Sequence, residues 1–281
     1  MKGIANKTIV SIYGVPDKNT TFIDELLYGM EVTILEEATE PCPSEWIKIE
    51  TEYRYTGYVL RKELILENID GTLYYDWKKS YKKRMIQAHI DVLSEPKVQG
   101  IILQEVTRGG LIAFVGGVQE HPGWIEVKLV NGKIGYTKAK FVNDIYEKPT
   151  GTEEEIRCRV IETAKMYLGT QYRWGGKSPL GIDCSGLTSI SYLINGINIY
   201  RDADIVEGFP VRKILFENRK PGDLLYFKGH IAMLLDEYRY IHSTAHSGSD
   251  GVVINSLCPD DADYRKDLAT GILATGSVFP I

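Results

Sequence analysis

The chain has 281 residues, of which 43% are hydrophobic and 25% charged, and its formal net charge is −5. This composition is typical of a globular protein and excludes collagen-like, fibrous and fully disordered chains. The slight acidic excess is spread evenly, which excludes the strong positive field that nucleic-acid-binding proteins direct at phosphates. A local basic cluster at residues 78–84 is interpreted as a solvated face.

The sequence carries no sign of a membrane segment. No apolar stretch approaches the roughly 18 residues needed to cross a bilayer. Lys2 and Lys7 are not followed by the apolar run of a secretory signal, because Ser11 interrupts it. We therefore expect a cytoplasmic protein that does not act at a membrane. The four cysteines lack CxxC spacing, which favours reduced thiols. They are Cys42, Cys158, Cys184 and Cys258.

The first half of the sequence contains an internal repeat. Trp46 and Trp124 each begin a strand-like segment, and a Gly-Tyr pair follows each tryptophan, at 57–58 and 135–136. The offset between the copies is 78 residues without a gap, and an apolar run precedes each tryptophan. Short strands separated by Gly and Pro turns predict two copies of one small β module.

These segments resemble bacterial SH3-like (SH3b) modules, in which a strand that begins with Trp leads into a strand with a Gly-Tyr pair. The resemblance implies SH3b domain 1 at residues 1–70, a connecting segment at 71–87 and SH3b domain 2 at 88–148. In both modules the tryptophan is expected to fill the core of a small β-barrel.

After a linker at 147–151 the pattern changes. Thr152 and Glu155 have the spacing of a capping box, and apolar residues then recur at helical intervals until Gly169. A glycine-rich loop leads into a second helical segment, and strand-like segments come later. Residues 149–281 are therefore predicted to form an α+β domain.

Cys184 lies where the loop enters the second helix. The free N–H groups and the dipole at a helix N-terminus favour a thiolate, so we expect a lowered thiol pKa. His230 begins one predicted strand and His242 lies near the end of the next. Antiparallel pairing of these strands would place the two rings side by side. The pattern indicates a cysteine nucleophile, a histidine base and a second histidine that orients the first.

Five motifs surround these residues. In chain order they are Trp174-Gly175-Gly176, Asp183-Cys184-Ser185-Gly186-Leu187, Pro221-Gly222-Asp223-Leu224, Gly229-His230-Ile231-Ala232 and Tyr240-Ile241-His242-Ser243. The set resembles the NlpC/P60 family of cysteine peptidases over residues 152 to about 275. The resemblance implies a papain-like α+β fold with Cys184 as nucleophile, His230 as general base and acid, and His242 as the orienting residue. The backbone N–H of Cys184 is expected to stabilise the oxyanion. Ile182 replaces the Phe common in the family, an apolar exchange that leaves the chemistry unchanged.

Three further segments narrow the resemblance, at residues 201–204, 250–257 and 264–268. With the two preceding SH3b modules they resemble the γ-D-glutamyl-L-diamino acid endopeptidases. Members of that subgroup cleave murein peptides after L-Ala-γ-D-Glu when the L-Ala amine is free. The resemblance implies a hydrolase of cell-wall peptide turnover or recycling, without a cofactor or metal.

The subgroup binds the free amine with a Glu and a Tyr of the first SH3b module. Tyr55 matches the tyrosine, and Glu25 is our choice for the glutamate, with Glu31 as the alternative. The resemblance also implies a set of substrate contacts in the peptidase domain: Tyr172, Asp183, Ser185, Asp202 and Ala203. For Asp183 and Ser185 a helix-capping role is the alternative, and Asp202 would otherwise close a turn.

Two other interpretations stay open at this stage. A related thiol amidase or acyltransferase would use the same three residues on another amide, although the sequence has no long apolar tunnel or membrane-facing helix. A cell-wall-binding protein with an inactive domain would be expected to lack one of the three. A metal site built from Cys258, His242 and His246 does not have the ligand spacing of a zinc site.

Overall fold

The computed structural model describes residues 1–36 and 45–279. The chain divides into two compact units, Met1–Ile145 and Tyr146–Ile281. This division lies within a few residues of the predicted boundary at 148–149. Among the described residues no helix is long and apolar enough to cross a membrane.

Within its described residues, the first unit contains two antiparallel sheets of seven strands, one from each copy of the repeat. The first sheet is formed by β1 (Lys2–Ala5), β2 (Ile9–Tyr13), β3 (Phe22–Leu27), β4 (Glu31–Glu36), β5 (Trp46–Thr51), β6 (Thr56–Leu60) and β7 (Leu64–Leu66). The second is formed by β8 (Lys82–Met85), β9 (His89–Leu93), β10 (Ile102–Thr107), β11 (Leu111–Gly117), β12 (Trp124–Lys128), β13 (Ile134–Lys138) and β14 (Val142–Asp144). The strand orders, β3-β2-β6-β5-β4-β1-β7 and β10-β9-β13-β12-β11-β8-β14, correspond strand for strand.

The pairing register repeats with the sequence offset of 78 residues. Trp46 pairs with Leu60 between β5 and β6, and Trp124 pairs with Lys138 between β12 and β13. Both tryptophans are buried, as the repeat predicted. A short 3-10 turn separates the last two strands in each copy, at Arg61–Glu63 and Ala139–Phe141.

Residues 71–87 are more ordered and less exposed than the predicted connecting segment. They form helix α1 (Gly71–Lys79) and strand β8, which belongs to the second sheet. Tyr74 and Trp77 of α1 are buried in a core shared with Met85. The interpretation of 78–84 as a solvated face holds only in part, because Arg84 is buried and donates to the Gly109 carbonyl oxygen at 2.8 Å. Paired carbonyls inside a sheet accept such a cation, which composition alone does not reveal.

The second unit begins with α2 (Glu153–Lys165). Both bonds of the predicted capping box are present: the Glu155 N–H donates to Thr152 Oγ1, and the Thr152 N–H donates to the Glu155 carboxylate. The helix α3 (Cys184–Ile194) follows the small strand pair β15 (Lys177–Ser178) and β16 (Gly181–Ile182). Helices therefore precede the main sheet, as the sequence predicted.

The main sheet of this unit has six antiparallel strands among the described residues, in the order β17-β22-β18-β19-β20-β21. They are β17 (Arg212–Ile214), β18 (Leu224–Phe227), β19 (His230–Leu234), β20 (Arg239–Thr244), β21 (Gly251–Ser256) and β22 (Ala274–Ser277). A short helix, α4 (Lys266–Ala269), precedes β22. Strand β18 is buried along its whole length, and α3 packs against β19 and β20. This packing brings the N-terminus of α3 to the strands that carry the two histidines.

Candidate active site

Cys184 is the first residue of α3 and is 7% exposed. Asp183 caps the helix, because its carboxylate accepts the Gly186 N–H at 2.6 Å and the Gly175 N–H at 2.8 Å. A Cβ on Gly186 would lie 2.1 Å from the Gly176 carbonyl oxygen. The two glycine-containing motifs thus let the loop lie directly against the first turn of the helix and fix the position of the cysteine.

A buried arginine, to which the sequence analysis gave no role, joins the loop to the helix. Arg201 is 1% exposed, and its guanidinium donates to Ser185 Oγ at 2.8 Å and to the Gly175 carbonyl oxygen at 2.9 Å. Both Asp183 carboxylate oxygens lie 3.2 Å from its nitrogens. A buried guanidinium needs such acceptors, since an uncompensated charge is costly in the interior. Asp183 and Ser185 are therefore held beside Cys184 by charge-assisted hydrogen bonds.

The predicted strand pairing brings the two histidines together. Strands β19 and β20 are antiparallel neighbours, and Nε2 of His230 lies 2.7 Å from Nδ1 of His242. His242 is fully buried, whereas His230 is partly exposed. The backbone N–H of Ile231, the next residue after His230, donates to the Cys184 sulfur. The cysteine and the first histidine therefore share one small site.

Asn255 extends this chain of side chains, and the sequence analysis missed it. Its Oδ1 lies 2.9 Å from Nε2 of His242, and its Nδ2 donates to the Asp263 carbonyl oxygen at 2.9 Å. Asn255 lies on β21, opposite Tyr240 of β20. The segment 250–257 had been noted as a whole, and the usable signal was the placement of an amide on the strand next to His242.

The protonation states differ from the expectation. Burial, with a smaller contribution from the Asp183 charge, raises the pKa of the Cys184 thiol to about 11, and the Ile231 N–H and Arg201 oppose this only in part. Burial lowers the pKa of His230 to about 3 and that of His242 to about 4. The predicted lowering of the thiol pKa is wrong because desolvation outweighs the helix N-terminus. At neutral pH the site holds a thiol and two neutral imidazoles.

The remaining predicted residues of the peptidase unit surround Cys184 in sequence and, for Tyr172, in space. Tyr172 is half-buried and forms a bridge with Ile182. Burial, and next the charges of Cys184 and Asp183, raise its pKa to about 12, which places its hydroxyl in the electrostatic field of the nucleophile. Asp202 and Ala203 follow Arg201 directly and are half-buried.

Glu25, Glu31 and Tyr55 all lie in the first unit. Glu25 is on β3 and fully buried. Glu31 is on β4, where its carboxylate accepts hydrogen bonds from Lys78 at 2.9 Å and Tyr74 at 3.0 Å. Tyr55 is half-buried and follows Arg54, whose φ of 59° marks a turn.

Metal-binding atoms converge elsewhere. Within the described residues, the cluster that brings three ligand atoms within 4.8 Å of one another is His89, Asp91 and Glu105, all partly or largely exposed in the first unit. Ion pairing accounts for the arrangement, with His89 Nε2 3.5 Å from Asp91 and 3.4 Å from Glu105. Cys158, Cys184 and Cys258 are free thiols, and Cys42 lies outside the described residues.

The site defines a class of protein: an enzyme in which a cysteine at a helix N-terminus is served by histidines on an adjacent antiparallel sheet. Residues 169–261 match the model of the NlpC/P60 family. Dipeptidyl-peptidase 6 of Lysinibacillus sphaericus is 39% identical over 280 residues, which cover 99% of this chain and 100% of the relative. The chain therefore belongs to the NlpC/P60 family of cysteine peptidases.

Two other similarities agree with this assignment. The gamma-D-glutamyl-L-lysine dipeptidyl-peptidase of Bacillus cereus is 26% identical over 249 residues, or 78% of this chain and 66% of the relative. A crystal structure of an NlpC/P60 family protein from Bacillus cereus superposes with a TM-score of 0.78 at 20% identity and covers 100% of both chains. This second similarity shows that the whole fold is shared.

Proposed function

We propose that the protein is a cysteine endopeptidase that hydrolyses the γ-D-glutamyl-L-diamino acid bond of murein peptides with a free N-terminal L-Ala. The observation that carries the proposal is the hydrogen-bonded series from His230 through His242 to Asn255, next to a cysteine at the N-terminus of α3. The names of the two relatives support the bond and the dipeptide product. Free peptides of cell-wall turnover or recycling in the cytoplasm would be the substrates.

The reaction proceeds through a thioester. His230 takes the proton of the Cys184 thiol as the sulfur attacks the γ-glutamyl carbonyl carbon, and the Cys184 N–H stabilises the oxyanion. His230 then gives this proton to the α-amine of the diamino acid as the C–N bond breaks. Water attacks the thioester, His230 accepts a water proton, and the C–S bond breaks to release L-Ala-D-Glu. The returned proton restores the thiol.

The neutral state of the site suits this mechanism. A thiol with a raised pKa does not attack until a base removes its proton, and a histidine with a lowered pKa is free to accept it. Substrate binding and proton transfer are therefore coupled, and the resting enzyme is protected from other electrophiles. Tyr172, whose hydroxyl lies in the field of Cys184, would contact the substrate beside the reacting carbonyl.

The first unit would supply specificity as two SH3b modules, and the second would adopt the papain-like arrangement. We assign recognition of the free L-Ala amine to Glu25 and Tyr55. Glu25 is preferred to Glu31 because the Glu31 carboxylate is already bonded to Lys78 and Tyr74. A buried carboxylate is suited to bind an ammonium group. Asp183, Ser185, Asp202 and Ala203 would complete the substrate-binding surface around the nucleophile.

The test compares L-Ala-γ-D-Glu-diaminopimelate with its N-acetylated form and follows L-Ala-D-Glu by mass spectrometry. We expect cleavage of the free-amine peptide and loss of about 10⁴-fold or more in the Cys184→Ala variant. Cys158→Ala, which removes an exposed thiol of the same unit, is the matched control and should retain full activity. Cleavage of both peptides would remove the free-amine rule. Cleavage of neither by folded protein would favour the amidase or binding-protein interpretation.

A further inference from the structure

The Asn255 amide has a defined orientation. Its one side faces the Asp263 carbonyl oxygen at 2.9 Å, and a carbonyl oxygen only accepts hydrogen bonds. The NH₂ group must therefore face Asp263, and the amide oxygen must face Nε2 of His242 at 2.9 Å. Asn255 is 6% exposed and His242 fully buried, so this pair exchanges little with solvent.

The amide orientation determines the tautomer of each histidine in turn. An amide oxygen cannot donate, so Nε2 of His242 carries a proton. Because burial keeps His242 neutral, its Nδ1 is then an acceptor, and the 2.7 Å contact requires a proton on Nε2 of His230. A neutral His230 with a proton on Nε2 presents an unprotonated Nδ1 to its remaining side, toward Cys184.

We infer that Asn255, anchored by the Asp263 carbonyl, is a positioning residue that fixes both imidazole tautomers and so makes Nδ1 of His230 the base for the Cys184 thiol. The thiol proton moves to this Nδ1 as the C–S bond forms. The resulting imidazolium of His230 donates from Nε2 to the Nδ1 lone pair of His242. This lone pair is present only while Asn255 holds the His242 proton on Nε2. The inference relies on the proposed function for its kinetic readout alone.

Charged groups near His242 act on the same equilibrium. Burial is the largest influence on its pKa and lowers it; the Asn255 hydrogen bond raises it, Arg265 lowers it, Asp267 raises it and His246 lowers it. Arg265 and Asp267 are paired with each other at 2.6 Å, so their effects oppose one another. Removing or charging the Asn255 side chain is therefore expected to change the titration of His242 more than the distant pair does.

The first measurement is made on the wild-type protein without substrate, labelled with ¹⁵N-histidine, at pH 7. We expect His242 and His230 each to carry one proton, on Nε2. A proton on Nδ1 of His242 would overturn the inference directly. This result does not depend on any substrate, so it separates failure of the inference from failure of the proposed function.

Substitutions then test the positioning role. Asn255→Leu keeps the volume but removes the acceptor, so the Nδ1-protonated form of His242 should become populated and kcat should fall about 10- to 100-fold with KM nearly unchanged. Asn255→Asp keeps an acceptor for Nε2–H and should restore most of kcat. Its carboxylate should also raise the pKa of His242, so that the acid limb of the pH profile moves to higher pH.

The matched control is Asn195→Leu. Asn195 is a buried amide of the same unit that donates to Thr163 Oγ1 at 3.0 Å and to the Ser191 carbonyl oxygen at 2.9 Å. Its loss should lower stability without changing the histidine spectra or the pH profile. If Asn255→Leu keeps wild-type tautomers and loses activity only to the extent that Asn195→Leu does, Asn255 is merely structural and the inference is wrong.

Discussion

The two copies of the β module share strand order and register, yet they place equivalent carboxylates in opposite environments. Glu25 on β3 pairs with Ser11, and Glu105 on β10 pairs with Asp91, the same position in the second sheet. Glu25 is fully buried, whereas the side chain of Glu105 is 54% exposed. The fold fixes where the carboxylate lies on the strand; the residues around it decide whether water reaches it.

The neighbouring position differs in the same way. Asp24 is also fully buried and accepts a hydrogen bond from the Tyr53 hydroxyl at 2.6 Å, whereas the second copy has Gln104 there, partly exposed. Adjacent residues on a strand point to opposite faces, so both faces of β3 are covered. Burying carboxylates costs stability, and the second copy shows that the fold does not require it. This contrast favours a functional reason for Glu25.

The largest expected effect separates these two glutamates. Glu25→Gln removes the charge proposed to bind the L-Ala ammonium group and should lower kcat/KM for the free-amine peptide about 10- to 100-fold, the value of a charge-assisted hydrogen bond. Glu105→Gln makes the same chemical change at the equivalent exposed position and should leave kcat/KM unchanged. Equal effects in the two variants would remove the functional reading of the contrast.

A second prediction tests whether the two copies are equally packed. A Cβ on Gly57 would lie 2.4 Å from Ile12 Cγ2 and 2.8 Å from the Tyr13 carbonyl oxygen. On Gly135 the corresponding distances, to Val92 Cγ1 and the Leu93 carbonyl oxygen, are 2.6 and 3.1 Å. Alanine at either position should cost about 1–3 kcal/mol of unfolding free energy by overpacking, with the larger cost at Gly57.

Urea unfolding followed by tryptophan fluorescence measures this cost. Gly116→Ala is the control, because a Cβ there meets no atom within 4 Å. It should change stability by less than about 0.5 kcal/mol. A larger loss at Gly135 than at Gly57 would contradict the packing order of the two sheets.

A smaller effect is expected at Tyr55. Its carbonyl oxygen accepts the Thr51 N–H, and in the second copy the Lys133 carbonyl oxygen accepts the Leu129 N–H in the equivalent turn. Tyr55→Phe removes only the hydroxyl and should lower kcat/KM for the free-amine peptide by about tenfold or less, the value of a neutral hydrogen bond. Lys133→Met is the counterpart in the second copy and should have no effect. An unchanged ratio of free to N-acetylated peptide cleavage in Tyr55→Phe would remove this residue from amine recognition.

Much of this architecture was predictable from local patterns. The offset of 78 residues predicted two copies with one register, and the strand pattern around His230 and His242 placed their rings together. Arg201 and Asn255 were not predicted, because their partners are set by how loops return to the helix and the sheet. Asn255 needs both His242 on the adjacent strand and the Asp263 carbonyl beyond it.

The thiol pKa was not predictable for a different physical reason. The helix N-terminus that favours a thiolate is visible in the sequence at Asp183 and Cys184. Burial, which opposes it, depends on the packing of α3 against β19 and becomes visible only in three dimensions. The same limit applied at 71–87, where burial of Tyr74 and Trp77 turned an apparent connecting segment into part of the core.

The smallest expected effect distinguishes Glu31 from Glu25. Glu31 has Leu111 as its counterpart, since Ile4 pairs with Glu31 and Arg84 with Leu111. Burial acts to raise its pKa, but hydrogen bonds from Lys78 and Tyr74 outweigh this and lower it. A carboxylate with a lowered pKa stabilises the folded state above its unfolded pKa, and this stabilisation is lost as the pH falls through the folded value.

Glu31→Gln should therefore cost about 1 kcal/mol or less at pH 7, leave kcat/KM unchanged, and cost progressively less as the pH falls below about 4.5. Urea unfolding of the variant and the wild type at pH 7 and pH 4 measures both parts. The difference between the two proteins should shrink in acid, because the wild-type carboxylate then becomes protonated as well. Loss of activity in Glu31→Gln with Glu25→Gln unaffected would transfer the ammonium-binding role from β3 to β4, and the contrast between the two copies would then concern packing alone.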